Sequence, residues 1–523
     1  MNEHVWLTHA AIPLAIALIV AFALERSRMS AALPALLSLL AAASVIVLAA
    51  LIVNHVRMPF QIDVMEEVVM QHARRVMHGQ SIYPRASPEY VPLAYNALFY
   101  ILAAPFLLLF GDTLPTLRAV SVIGFAGSGI AIFILVRSYT RSAWWAAIAV
   151  GLFCAAYPAM DAYLDTAHAD AWLLCCALWG TYLVGCDSRG PRLAGILVLA
   201  AAFWFKQHGA VFLGVALLFL TWREGLRKSL AYWLIAIAAG PVLYLAAPPL
   251  LGPAFHYFTW QVPSGWSTLT THSILRVVRF AATHYPVVTL AALFGAYRAL
   301  RARTIGILDM MLGAALLTAL MGALDSGSSN NVFIPMGAFC ILSGSIELAR
   351  LNERAAPWWG VRPALAGALL AFATLLYDPR DFWMPESAPA TYAELQATIR
   401  ALPGTVYAPG IGQLANGPKL YPAGHWVALE DIVRGSHRTA ADTAVAQRAL
   451  DPARHPAATA FVLTNAPLGE LSAPVSTLAA SYTLVQDYGT RFAALAPLPR
   501  PFNTGYPRYL YRFTGAGGLT HDP

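Results

Sequence analysis

Runs of about 20 apolar residues, separated by short polar loops, recur through the first 376 residues of the chain. That is the length a helix needs to cross a hydrocarbon core of roughly 30 Å. The pattern predicts spans near 5–24, 32–53, 118–136, 143–160, 171–186, 192–205, 209–222, 230–250, 285–300, 305–324, 332–348 and 358–376. Ten-residue alternating strands, the mark of a membrane barrel, do not occur there. A thirteenth apolar stretch, 93–110, is read as an interfacial or re-entrant helix, because that choice alone puts every basic loop on one side. Those loops carry Arg26 and Arg28, Arg137 and Arg141, Arg189 and Arg192, Arg223 to Lys228, Arg298 to Arg303, and Arg350 and Arg354. Their bias makes that side cytoplasmic. Loops 54–117, 161–170, 206–208, 251–284 and 325–331, with the tail from Asp378, then share the outer face.

The first apolar stretch lacks a basic leader and runs into Glu25 and Arg26 instead of a small-residue cleavage site, so it reads as a retained helix. The segments 192–205 and 209–222 are short and meet at Lys206 to Gly209, which suggests discontinuous helices turning at mid-membrane depth. From Tyr377 the composition turns mixed, with many Pro and Gly. Strands at Thr405–Ala408 and Ala460–Leu463 and helices at Tyr392–Arg400 and Ala440–Leu450 make 377–523 a small α/β domain. The expected fold is therefore an all-α polytopic membrane bundle over 1–376, with about 12 spans and interfacial helices in the first outer loop, 54–117, carrying that soluble domain. The turn Pro409–Gly412 lacks the rest of a phosphate-loop motif and reads as an ordinary turn.

Composition sharpens this. With 58% hydrophobic and 12% charged residues, the chain needs lipid as its solvent. The net charge of +7 lies in the arginines of the short loops, which is an orientation signal and not a nucleic-acid patch. The five cysteines, Cys154, Cys175, Cys176, Cys186 and Cys340, lie in or beside apolar segments without metal spacing.

Candidate chemistry gathers in the outer loops. On a helix from Asp63 to His78, Asp63, Glu66, Glu67 and Arg74 share one face and Met65, Val68, Val69 and Val76 the other, as on an amphipathic helix lying on the membrane surface. A solvated polar face is the plain alternative. No acid there has a basic partner four residues on, so three close carboxylates would raise one another's pKa and invite a proton, a cation or a substrate hydroxyl. The loop 161–170 adds Asp161, Asp165, Asp170 and His168 at the mouth of the next span. A helix cap accounts for Asp170 better than for Asp165, and a divalent cation is possible, though the spacing is not that of a metal motif. Lys206 and His208, with Arg276, Arg279 and His284, bring positive charge suited to a phosphate, although Arg276 and Arg279 could equally snorkel to the interface. Tyr257, Trp260 and Trp266 could stack on a sugar or belong to an aromatic belt.

In order along the chain, these residues resemble the polytopic GT-C glycosyltransferases of the protein mannosyltransferase and aminoarabinose transferase type, family thirty-nine and its bacterial relatives. The resemblance rests on the acidic start Asp63 to Glu67, the Gly79 to Pro84 element, and the aromatic, Pro-containing run Tyr90 to Tyr100. It continues through Leu164 to Asp170, Phe205 to Gln207, Val262 to Gly265 and Ser328 to Pro335, and so covers about residues 30 to 350. One departure concerns the acids, which are adjacent in the family but separated here, Asp63 from Glu66 and Glu67.

The resemblance implies an inverting transferase that moves a sugar from a polyprenyl-phosphate donor to a lipid-linked or cell-envelope glycan acceptor, at the outer face of a bacterial inner membrane and in contact with membrane lipid. Glu66, with Asp63 second, would take the acceptor proton, and Lys206, His208, Arg276 and Arg279 would hold the donor phosphate. Glu67, Asp165, His168 and Asp170 would position the acceptor or a cation. A secondary transporter and a non-catalytic envelope assembly subunit are the rivals. A transporter is disfavoured by the missing inverted repeat and by acids placed away from the midplane.

Overall fold

The computed structural model describes residues 16, 17, 19, 20 and 23, and then 32–514 apart from 268–269, 326, 355–361, 410, 412–418, 421–423, 451–460 and 500–504. The predicted first span and the Pro409–Gly412 turn thus fall largely outside the described residues.

The apolar stretches form helices where the hydropathy places them. They are α1 (Ala32–Val56), α2 (Glu66–Met77), α3 (Leu98–Phe110), α4 (Leu114–Thr140), α5 (Ala143–Ala155), α6 (Asp170–Gly185), α7 (Arg189–Phe205) and α8 (Gly209–Glu224). Next come α9 (Leu226–Ala246, with a π turn), α10 (Thr271–His284), α11 (Pro286–Arg301), α12 (Ile307–Ala323), α13 (Ile334–Arg354) and α14 (Pro363–Thr374). Among the described residues, four helices are long and apolar enough to cross a membrane by length and composition: α1, α4, α9 and Asn330–Arg354, which contains α13. The pair α10 and α11, bent by 110°, could make a fifth, and several more apolar helices are shorter.

Helix α13 is the hub, packed on α4, α5, α6, α11, α12 and α14. Lipid gives apolar side chains little reason to associate, so close approach rests on small residues. A Cβ on Gly344 would come within 2.4 Å of the Val288 carbonyl, and one on Gly151 within 2.5 Å of Ala41.

The described basic loops gather at one end of the bundle. There Arg192 pairs with Glu224, Arg223 with Asp187 at 3.0 Å and Arg298 with Glu347 at 2.8 Å, and Tyr139 lies within electrostatic reach of Asp309, Arg223 and Arg350. This corrects one expectation. Helices α7 and α8 form an antiparallel hairpin, turning tightly where Gly209 meets the backbone of Ala202, and its far ends are bridged by Arg192 and Glu224. At 17 and 16 residues, each is about 25 Å long, nearly a full crossing and not a half-helix.

Helix α3 behaves as the loop asymmetry required. Just before it, Asn96 bonds the Phe203 carbonyl at the other end of the bundle; just after it, Asp112 pairs with Arg74 and Arg118 with Glu66. Both of its ends therefore meet the loops opposite the basic ones. Helix α2 departs from the prediction. Glu66, Glu67, Val68, Val69, Met70, His72 and Ala73 are all buried, so it is lodged within the protein and not laid on a surface.

The tail begins with α15 (Ala388–Ala401) and includes α16 (Trp426–Arg434) and α17 (Ala440–Ala449). Its sheet has β1 (Val406–Tyr407) parallel to β2 (Phe461–Thr464), and β2 antiparallel to β4 (Tyr509–Phe513), which pairs with β3 (Tyr482–Asp487). The sheet order is β1-β2-β4-β3.

Sidedness follows from this geometry. Cysteines at Gln80 and Asp112 are expected to react with a membrane-impermeant maleimide from one side, and one at Ser138 from the other. Labelling of 80 and 112 from opposite sides would mean that α3 crosses the membrane.

Candidate active site

Polar side chains opposite the basic end converge where loop 57–65 meets the start of α4 and the loop before α6. Arg118, in the first turns of α4, is fully buried and spends its donors on five acceptors. Nε and Nη2 reach the two Glu66 oxygens at 2.7 and 2.6 Å, Nη1 reaches the carbonyls of His55 and Met58, and Nη2 that of Phe60. Glu66 also accepts from Ile62 N at 2.8 Å and Ala167 N at 3.1 Å. With four donors on two oxygens and no exposed surface, Glu66 has no lone pair left for a substrate proton.

Asp63 sits in the turn before α2, off the helical face assigned to it from the sequence. Its Oδ1 accepts from Met65 N at 2.9 Å and lies 2.8 Å from His168 Nε2, whose ring packs on Tyr163. Asp170 opens α6, where the helix dipole favours a carboxylate, and its Oδ1 lies 2.8 Å from Lys206 Nζ. The lysine comes from the α7–α8 turn and lies 5.1 Å from the centre of the Tyr95 ring. His168, Asp170, Lys206 and Tyr95 line one small enclosed cavity, with Phe99 and Tyr100 as its apolar wall. The Asp63–His168 couple and the Lys206–Asp170 couple are thus neighbours.

The other predicted residues have different roles. Asp165, fully buried, lies 2.6 Å from His55 Nδ1 and accepts from Tyr157 at 2.8 Å, while His55 Nε2 donates to the Phe382 carbonyl. Beside it, Asn54 exchanges two hydrogen bonds with the Met384 backbone, so this group ties the tail to α1 and does not face the cavity. Arg276 donates to Ser328 and to the Ser328 and Ser329 carbonyls. Asp161 receives Ser329 and Asn330, and Asn331 reaches Asp170 at 3.5 Å, so segment 328–331 links Arg276 to the cavity without placing its guanidinium there. Arg279 lies on the exposed side of α10. Burial, with Lys206 beside it, holds His208 down to about 4, so it is neutral near pH 7 and adds no charge for a phosphate.

Glu67 accepts from Gln71 at 3.0 Å and lies 3.6 Å from His425 of the tail; burial pushes its carboxyl up to about 7. Among the described residues, no group of three or more His, Cys, Asp or Glu side chains is arranged to hold a metal ion.

Sequence reasoning missed Arg118, His55 and His425. A lone arginine at the edge of an apolar span was a signal for the first, since an intramembrane charge demands a partner. Nothing local pointed to His425.

Most of the chain can be set beside solved structures. It matches ArnT from Cupriavidus metallidurans bound to undecaprenyl phosphate with a TM-score of 0.52 at 13% identity, over 90% of this chain and 97% of that one. The apo state of the same protein matches with a TM-score of 0.51 at 14% identity, over the same shares. The chain therefore shares its fold with this membrane protein. No protein-family model and no curated protein matches the sequence. In this fold Asp63, Glu66, His168, Asp170 and Lys206 come together at one end of the bundle.

Two outcomes follow. Arg118→Met strands a buried carboxylate and is expected to cost about 3–5 kcal/mol, read as a fall in melting temperature, with Glu66→Gln/Arg118→Met losing less than Arg118→Met alone. An equal loss in both would remove the pair from its anchoring role. Because the folded pKa of Glu67 is raised, its protonated form is the one folding favours. Stability should therefore fall as pH rises from about 4.5 through 7, and Glu67→Gln should flatten that decline; an unchanged slope would contradict it.

Proposed function

We propose that the chain is an inverting glycosyltransferase that takes a sugar from a polyprenyl-phosphate donor and attaches it to a lipid-linked or envelope glycan acceptor. The observation that carries this reading is the carboxylate–histidine couple, Asp63 and His168, whose histidine lines one closed cavity together with the Lys206 cation. It gains support from the likeness to a protein that binds undecaprenyl phosphate. The acceptor hydroxyl attacks the anomeric carbon as the bond from that carbon to the phosphate oxygen breaks. The hydroxyl proton passes to Asp63, and polyprenyl phosphate leaves with its charge on Lys206. His168 donates to Asp63 and orients its carboxylate. Asp170 holds Lys206 extended into the cavity, where an arriving phosphate would share the ammonium. Glu66 serves as an anchor in this reading and Asp63 as the base, the reverse of the order expected from sequence.

The basic loops at the far end support a site on the outer face of a bacterial inner membrane, with the tail extracytoplasmic. Asp63, His168, Asp170 and Lys206 are each no more than 6% exposed, so both substrates enter only when their cover moves. The tail supplies that cover, as Arg434 of α16 stacks on Trp266 and pairs with Asp325, and Tyr257 donates to Asp442.

Purified protein in lipid, offered a panel of polyprenyl-phosphate sugars with envelope acceptor extracts, should release polyprenyl phosphate. Asp63→Asn should lower turnover by roughly 10²–10⁴, and Lys206→Met should weaken donor use. Absence of release from every donor, or wild-type turnover in Asp63→Asn, would overturn the reading.

A further inference from the structure

We propose that His425, from the soluble tail, is a positioning residue of this site that fixes the turn carrying Asp63, so that the tail completes the site as well as covering it. The effect on turnover rests on the transferase reading; the structural role does not.

His425 stands immediately before α16 and is buried. Its Nδ1 accepts from Val427 N at 3.3 Å, which leaves Nε2 as the donor. The ring bonds the Val64 carbonyl, and Nε2 lies 3.6 Å from Glu67. Burial holds this imidazole down to about 4, so near pH 7 it is a neutral donor with one tautomer, suited to holding a carbonyl and not to supplying charge.

Other tail contacts converge on the same turn. Leu498 N donates to the Ile62 carbonyl at 3.0 Å, and the Tyr392 ring lies 5.2 Å from that of Phe60. The carbonyls on either side of Asp63 are thus both held by the tail, while Glu66 takes Ile62 N and Arg118 takes the Phe60 carbonyl from the bundle side. A buried carbonyl left without its donor destabilises its local conformation. Displacing a reacting group by about 1 Å can cost 10²-fold in rate.

Hydrogen exchange on the full chain in lipid tests this without relying on turnover. His425→Ala should raise exchange across 60–67 while α4 and α13 stay protected, and His425→Gln, which keeps a donor, should restore part of the protection. If His425→Ala fails to fold, His425→Phe, which fills the space without donating, replaces it in comparison with His425→Gln. Unchanged exchange across 60–67, or equal exchange in the Gln and Phe variants, would overturn the proposal. With a donor sugar, kcat should fall about 10- to 100-fold at nearly constant donor KM, with partial rescue by Gln. A fall in KM-governed binding at constant kcat would contradict a role through Asp63. An inactive wild type whose exchange pattern still shifts as stated would fault the transferase reading and leave this one standing.

Discussion

Everything at the site depends on one buried ion pair. Arg118 and Glu66 are both closed to solvent, and between them they fix the end of α1, the turn before α2, the start of α4 and the backbone at Ala167. Taking two charges out of water is costly, and such a pair adds little net stability compared with apolar residues. Its effect is to select one arrangement, because any shift of α1 against α4 strands a charge. The loops bearing Asp63 and His168 are tied to opposite sides of this pair, so the 2.8 Å contact between those two follows from it.

The acids then separate by what compensates them. Glu66 is matched by an arginine, Asp161 by hydrogen bonds from segment 328–331, and Asp165 by Tyr157 and by His55, which in turn bonds the start of the tail. Asp63 faces His168 and Asp170 faces Lys206, and both of these partners line the small cavity. Glu67 lies on the boundary between bundle and tail, where burial makes it partly protonated near neutral pH. A cluster that looks uniform in sequence thus holds buried anchors, two couples beside a cavity and an interface residue.

The bundle was legible in the sequence because hydropathy is local: apart from α10, which lies in the expected loop 251–284, the described bundle helices fall within several residues of the expected spans and loop helices, and two strands and two helices of the tail were read correctly. Strands β3 and β4 and helix α16 were missed; β3 is exposed at every residue but Tyr482 and so shows no buried-face alternation. The α7–α8 hairpin was misread because a 16-residue crossing and a half-helix look alike until their far ends are located. The location of the acids was legible and their roles were not. The i,i+4 rule looks only along one helix, whereas Arg118 lies 52 positions beyond Glu66 and His425 reaches Glu67 from another part of the chain. Helical periodicity also placed Asp63 on a helix that begins only at Glu66.

The central claim is that the cavity lined by His168, Asp170, Lys206 and Tyr95, with Asp63 behind His168, is where a lipid phosphate is held for transfer. A cryo-electron microscopy structure with undecaprenyl phosphate bound in a lipid disc tests it most directly. The account predicts phosphate density within hydrogen-bonding distance of Lys206 Nζ, beside Tyr95 and Asp170. Phosphate ordered elsewhere on the protein, with the Lys206–Asp170 pair unchanged, would contradict it.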